Sequence, residues 1–260
     1  MVHEVWAKGD AYEAYVGRWS RPVAARFLRW LAVPPGRRWL DVGCGTGALT
    51  GTVLSAAAPA EVTGVDPSEG FLTTARSRLA ARFITGDARA LPVPDASVDV
   101  VVSGLALNFV PTPAEAVAEF TRVAASGGLV AAYVWDYADG MAMMRHFWDA
   151  ATSLDPSAAA LDEGRRFSIC DTATLSDLWS TAGLSDVTTL PIDTTAVFAD
   201  FDDYWTPFLG GAGPAPSYVA SLSTEHRDTL RDLLRERLPR AADGSISLLA
   251  RALAVRGTAA

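Results

Sequence analysis

The feature that most limits the fold is the stretch from Arg38 to Thr50, "RWLDVGCGTGALT". An apolar run ends at Asp41 and Val42, glycine occupies positions 43, 45 and 47, and a helix-like run follows. Glycine reaches backbone angles closed to other residues and lets a ligand approach with no Cβ in the way. The helix start beyond it points free amides at whatever binds. Strand, glycine loop and helix in this order belong to an open α/β sheet, where ligands bind beyond the carboxyl ends of the strands.

The pattern recurs. Apolar runs "RRWLDV", "EVTGVD", "ARFIT", "SVDVVVS" and "GLVAAYVW" alternate with helical stretches "GALTGTVLSAAA", "PSEGFLTTARSRLA" and "PAEAVAEFTRVAAS". Strand, crossover helix and strand in succession predict a doubly wound parallel sheet with helices on both faces. Before it, Tyr12 to Leu31 reads as one or two amphipathic helices. After it, "MAMMRHFWDAATSL" reads as a helix and "DTATLSDLWSTAGL" as another, capped at Asp171 or Thr172 and ended by Gly183. Two late strands are expected in "DVTTLPIDTTAVF" and "SISLLARALAVRG". Between them, residues 199–244 are aromatic and Gly/Pro-rich in the middle and helical at the end. A structureless loop of that length is uncommon, so the segment is expected to be an inserted lid. The 260 residues then make a single domain: a helical N-terminal cap over 1–35, a core over 36–198 and 245–260, and the lid over 199–244.

Charge narrows the ligand. Asp41, Asp66 and Asp87 are read as ending the first, second and third strands, so all three are expected on one rim of the sheet. "GCGTGA" also satisfies the dinucleotide pattern G-x-G-x-x-A, with Asp66 placed to meet a ribose. A pyrophosphate, however, carries negative charge into a rim of acids. Unit charges 4 Å apart at an effective dielectric of about 20 interact by roughly 4 kcal/mol. The only lysine is Lys8, far from the loop. A cofactor with hydroxyls and positive charge but no phosphate suits the rim better, and S-adenosylmethionine has a sulfonium, an ammonium, a ribose diol and an adenine amine. Asp66 would accept the ribose hydroxyls. Asp87 would accept from the adenine amine, with the Ala88 amide at the ring. The loop and Asp41 would hold the methionine end.

These segments resemble the class I S-adenosylmethionine-dependent methyltransferases. The resemblance rests on "LDVGCGTG", "VTGVDPSEGFL", "GDARALPVPDASVDVVVS" and "VAASGGLVAAYVW", and on the N-terminal "YVGRWSRP", similar to a segment that closes over the cofactor. It implies a Rossmann-like, mostly parallel seven-stranded sheet whose last strand is antiparallel. It implies that Gly43, Gly45 and Gly47, with Cys44 and Thr46 between them, cradle the methionine part. Pro67 and Ser68 would flank the adenosine, Ser103 and Leu105 would close the site from below, and Tyr15 and Arg18 would hold the cofactor carboxylate.

Methyl transfer from a sulfonium is an in-line displacement, and positioning supplies much of the rate. A general base is needed only when the acceptor loses its proton early. Asn108, in "SGLALNFVPTP", is the candidate to orient the acceptor. Tyr137 and His146, in "WDYADGMAMMRHFWDA", are candidate bases, and Trp205 and Phe208 in the inserted segment are candidates to face the acceptor. No Asn-Pro-Pro-Tyr type motif is present, which points to a small-molecule acceptor rather than nucleic acid. Net charge of −8 opposes binding to nucleic acid or anionic membranes. No apolar run of about 18 residues spans a bilayer, and no signal-like N-terminus is visible, so a cytoplasmic protein is expected. Two isolated cysteines and three scattered histidines offer no metal site. The alternatives are an NAD(P)-dependent oxidoreductase, which leaves Asp87 without a role, and a protein that binds S-adenosylmethionine without methylating.

Overall fold

The computed structural model describes residues 19–210 and 213–260. All seven expected strands form: β1 (Arg38–Val42), β2 (Glu61–Asp66), β3 (Arg82–Thr85), β4 (Val98–Gly104), β5 (Ala124–Trp135), β6 (Ser185–Phe198) and β7 (Ile246–Thr258). They make one sheet in the order β3-β2-β1-β4-β5-β7-β6. The pairs β1–β2, β1–β4, β2–β3 and β4–β5 are parallel, and β7 runs antiparallel to β5. Strand order therefore reverses at β1 and β4, the switch point at which such sheets bind ligands.

The helices are α1 (Ser20–Leu31), α2 (Ala48–Ala56), α3 (Glu69–Arg78), α4 (Pro113–Val123), α5 (Ala142–Leu154), α6 (Glu163–Arg166), α7 (Thr172–Thr181), α8 (Phe201–Trp205), α9 (Pro214–Ser221) and α10 (Thr224–Arg237). Of the helical segment expected over Tyr12–Leu31, α1 is the described part. Asp171 caps α7 through a side-chain bond from the Thr174 amide, and Gly183 ends it at φ +82°. β5 starts four residues earlier than the apolar run suggests. Gly127 and Gly128 both sit inside the strand. There the Gly127 amide donates to the Ala259 carbonyl, and the Ala259 amide donates to that of Gly128.

Burial follows strand position. β1 buries four consecutive residues, Trp39 to Val42, as a central parallel strand should. β6, at the sheet edge, alternates: Ile192, Thr194, Ala196 and Phe198 are buried, and the residues between them face water. Within β2, Gly64 is needed for space. A Cβ there would lie 2.7 Å from the Phe83 ring and 2.8 Å from Cys44 Sγ.

The described residues fall into two compact units. One comprises residues 20–135, 169–192 and 252–260 and contains the glycine loop. In it, the Phe27 ring of α1 lies 4.7 Å from Tyr133 of β5, and Trp179 Nε1 of α7 donates to the Val130 carbonyl at 2.9 Å. The other comprises residues 136–168 and 193–251 with Trp19. Residues 136–168 thus group with the segment expected as a lid. The centre of this second unit is aromatic: Phe147 stacks on Phe208 at 4.5 Å, and Tyr204 lies 5.3 Å from Phe208 while donating its hydroxyl to the Met143 carbonyl.

Candidate functional site

The glycine loop joins β1 to α2 at the switch point. Gly43, Gly45 and Gly47 all have positive φ, at +72°, +54° and +91°. Their surroundings differ. A Cβ on Gly43 would lie 2.4 Å from Ala106 Cβ, and one on Gly47 would lie 2.4 Å from Leu79 Cδ1. At Gly45 nothing among the described residues lies within 4 Å. The outer glycines admit close packing, and the middle one opens onto free space. The contact at Gly43 also brings the turn after β4 against the loop.

Asp41 is the last residue but one of β1 and is 1 % exposed. Its Oδ2 accepts the Thr50 hydroxyl at 2.6 Å, and its Oδ1 has no partner among the described residues. Burial pushes its carboxyl up to about 7, and the nearby Asp66 charge adds to this while Thr50 works against it. An isolated buried acceptor is costly, so the oxygen is suited to a hydrogen-bond donor or a cation.

Asp66 ends β2 and is likewise buried. Its Oδ2 accepts from the Gly45 amide at 2.9 Å, and its Oδ1 from the Ser68 amide at 2.8 Å. It therefore fastens the middle of the loop to the start of α3, where the Ser68 hydroxyl accepts from the Phe71 amide. A carboxylate offers about four lone-pair sites, which leaves two on Asp66. Burial raises its proton affinity, and the two amides oppose that shift. Pro67 is exposed and Ser68 half-buried.

Asp87 departs from the expected acidic rim. Its side chain is 47 % exposed and forms an ion pair with Arg89 at 2.6 Å. Arg89, and its amide, hold the carboxyl down at about 2. No lysine occurs among the described residues, but this arginine offsets the third acid, so the rim is less negative than the sequence count implies. Ala88, next to it, is half-buried.

Cys44 is a packing residue. It is buried with Leu72, Ala75 and Phe83, and burial pushes its thiol far up, with Asp41 and Asp66 adding to the shift. Thr46 is half-buried, and Ser103 is buried on β4. Leu105 follows β4 in a left-handed conformation, φ +59°, pinned by its amide to the Tyr133 carbonyl at 2.8 Å. Such a backbone angle on a bulky residue stores strain of about 1–3 kcal/mol and tends to cluster at functional sites. Asn108 sits in the 3-10 turn Leu107–Phe109, is 7 % exposed, and its Nδ2 has no partner among the described residues.

Asp41, the loop, Asp66, Ser68, Asp87, Ser103, Leu105 and Asn108 all belong to the unit formed by 20–135, 169–192 and 252–260. Tyr137 and His146 belong to the other. Tyr137 is buried there, with its ring 5.6 Å from Phe167. His146, on α5, is half-buried, and burial lowers its proton affinity. Phe208 and Trp205 are buried within that unit's own aromatic centre, and Phe208 has no exposed surface. Packing rather than a free face accounts for both. Tyr15 and Arg18 lie outside the described residues.

Thr50 and Arg89 were not singled out in the sequence. Thr50 follows Asp41 by nine positions and occupies the first turn of α2, where a polar residue facing inward meets the end of the preceding strand. That offset is a readable signal for the Asp41 partner. Arg89 lies two residues from Asp87, within reach of a local ion pair. Among the described residues no cluster of His, Cys, Asp and Glu is arranged to hold a metal ion. Also among them, no helix is long and apolar enough to cross a membrane.

Residues 40–132 match a family model described as a methyltransferase domain. The chain is similar to a malonyl-[acyl-carrier protein] O-methyltransferase of Methylococcus capsulatus, 36% identical over 121 residues, which are 45% of this chain and 44% of the relative. It is also similar to a demethylmenaquinone methyltransferase of Staphylococcus aureus, 38% identical over 110 residues, 40% of this chain and 46% of that one. The chain thus spans less than half the length of these curated relatives. Among solved structures, it is similar to phosphoethanolamine N-methyltransferase 2 of Haemonchus contortus in complex with S-adenosyl-L-methionine. The TM-score is 0.61 at 16% identity, over 99% of this chain and 58% of that one. Residues 40–132 thus match a methyltransferase domain, and the strand order with the glycine loop at the switch point is the fold shared with these solved methyltransferase structures.

Proposed function

We propose that the protein transfers the methyl group of S-adenosylmethionine to a small-molecule acceptor. The observation that carries this reading is Asp41 Oδ1, a buried acceptor without a donor, next to a loop whose middle glycine opens onto free space. A ligand rich in N–H, O–H and positive charge suits that oxygen. A pyrophosphate would add further acceptors beside it, which is why a nicotinamide cofactor is the weaker reading.

When bound, S-adenosylmethionine supplies an electrophilic methyl group on a sulfonium. The chain's own residues hold and exclude. Gly43 to Gly47 carry the amino-acid part, with Asp41 accepting from its ammonium. Asp66 has two lone pairs left for the ribose hydroxyls once Gly45 and Ser68 are satisfied. Pro67 and Ser68 flank the adenosine. The adenine amine donates to Asp87, which keeps lone pairs beyond those taken by Arg89, and the Ala88 amide meets the ring. Ser103 and Leu105 form the floor. Tyr15 and Arg18 are proposed for the cofactor carboxylate.

Asn108 Nδ2, buried and unpartnered, is a donor awaiting an acceptor atom. It therefore favours a methyl acceptor that presents an oxygen lone pair next to the reacting atom. As an amide Asn108 orients and does not remove a proton. Where the acceptor must lose one, Tyr137 and His146 are the proposed bases.

Calorimetry with S-adenosylmethionine and with NAD tests the cofactor. Binding of the first without the second is expected, and the reverse overturns the reading. Mass spectrometry over a library of acceptors then tests the reaction. S-adenosylhomocysteine is the expected product, whereas methylthioadenosine alone would indicate a different use of the cofactor.

A further inference from the structure

The Asp41–Thr50 pair has a geometry that goes beyond holding a ligand. Thr50 is fully buried and gives its hydroxyl to Oδ2 alone, at 2.6 Å. The other oxygen is left for a ligand or a proton. Among the described residues, the groups around Asp41 do not compensate its charge. Asp66 on β2 repels it, and Cys44 on the loop is kept protonated by burial. Thr50 is the neighbour that favours the ionised form.

We infer that Thr50 pins Asp41 as a one-oxygen receptor for the primary ammonium of the cofactor, and that filling this receptor drives one proton off Asp41. The inference rests on the S-adenosylmethionine reading above. In the empty site the proton sits on Oδ1, because Oδ2 is already accepting. On binding, the Oδ1–H bond breaks, its electron pair stays on the carboxylate, and the proton passes to solvent. The ammonium, with its own proton complement unchanged, takes the vacated position. Burial, which raises Asp41 toward 7, places this exchange in the neutral range. Ligand affinity then weakens in acid, by up to tenfold per pH unit once Asp41 is mostly protonated. Ligands without the amino-acid part escape this dependence. Thr50 is a positioning residue here, since it acts through Asp41.

The test counts protons. S-adenosylmethionine, S-adenosylhomocysteine and methylthioadenosine are titrated into the full chain by calorimetry, from pH 6 to 8, in pairs of buffers with different ionisation enthalpies. The first two carry the ammonium and are expected to release a proton near neutrality and to lose affinity in acid. Methylthioadenosine lacks it and is expected to do neither. Thr50→Val is expected to move the affinity midpoint upward by about one pH unit, because the carboxylate loses a hydrogen bond. Thr50→Ser is expected to restore it. Equal enthalpies in both buffers and a flat affinity for all three ligands overturn the proton exchange while leaving the cofactor reading intact. Equal proton release with methylthioadenosine overturns the assignment to the ammonium. An unmoved midpoint in Thr50→Val overturns the role of Thr50. Should none of the three ligands bind, the cofactor reading itself falls. The proton count uses the unaltered protein, so it stands even where a variant fails to fold.

Discussion

The two compact units differ in how they treat their buried carboxyl and carboxamide side chains. In the one that holds the glycine loop, Asp41 Oδ1 and Asn108 Nδ2 are buried at the ends of β1 and β4 with no partner. In the other, the buried acids and phenols meet donors or acceptors of their own. Arg145 pairs with Asp162, the Trp148 indole donates to Glu163, and Tyr204 donates to the Met143 carbonyl. A buried group left unmatched reduces stability. Among the described residues both units leave some buried nitrogens unmatched, Trp39 Nε1 and Trp135 Nε1 in the first and Arg145 Nε and Arg227 Nε in the second. The unmatched carboxylate and carboxamide atoms, however, belong to the unit with the glycine loop, where the proposed cofactor would meet them. The second unit is instead held by apolar and aromatic packing, and its aromatic centre is what a sequence reader would most readily mistake for a binding surface.

The largest test of this contrast is Phe208→Ala. Removing a fully buried aromatic side chain is expected to cost about 3–5 kcal/mol, measured by urea unfolding. S-adenosylmethionine affinity should stay within about twofold at concentrations where the variant remains folded. A large loss of affinity would make Phe208 part of the binding apparatus and erase the contrast.

Next is Asp66→Ala. Loss of hydrogen bonds from a charged acceptor is expected to weaken cofactor binding by about 1.5–3 kcal/mol, read by calorimetry. An unchanged dissociation constant would move the ribose elsewhere.

Asp41→Asn probes the same unit from the stability side. Asp41 titrates near 7 when folded, against an ordinary value of 3.8. Between those limits the folded protein keeps a proton that the unfolded chain has released. Stability of the ligand-free protein from this residue is thus present in acid and lost as pH rises through that window. An asparagine removes the buried charge but leaves an amide to satisfy. At pH 8 the variant is expected to gain about 2 kcal/mol, or roughly 5 °C in melting temperature, while binding cofactor more weakly. A variant less stable than the parent at pH 8 would show that Asp41 is not a group waiting for a ligand.

The smallest effect is expected at Asn108→Ala. Turnover should fall about tenfold, equivalent to about 1.4 kcal/mol, with cofactor affinity nearly unchanged. Loss of cofactor binding would shift Asn108 from the acceptor to the cofactor side.

The sheet was legible because its cues are local. Asp41, Asp66 and Gly43 to Gly47 stand at strand ends that apolar runs mark plainly, and parallel pairing puts strand ends on one rim. What the sequence hid depends on side chains meeting across the fold. The count of acids made Asp87 a free charge, but Arg89 folds back onto it. Cys44 looked like a loop residue and turned out to be filler for the space beside Gly64. Trp205 and Phe208 read as a surface because an aromatic, proline-rich segment carries no period that separates a packed interior from an exposed face. The grouping of 136–168 with 193–251 joins segments distant in sequence, and no motif announces that.

The crowding of Gly64 against Cys44 and Phe83 has a consequence for how this chain can drift over time. These three positions share one fixed volume, so a methyl group gained at the strand position must be matched by bulk shed at the thiol or the ring. In a set of descendants they should therefore vary as a trio, and a thiol in the middle of the loop would come and go with its neighbours' size while the chemistry beside it stays the same.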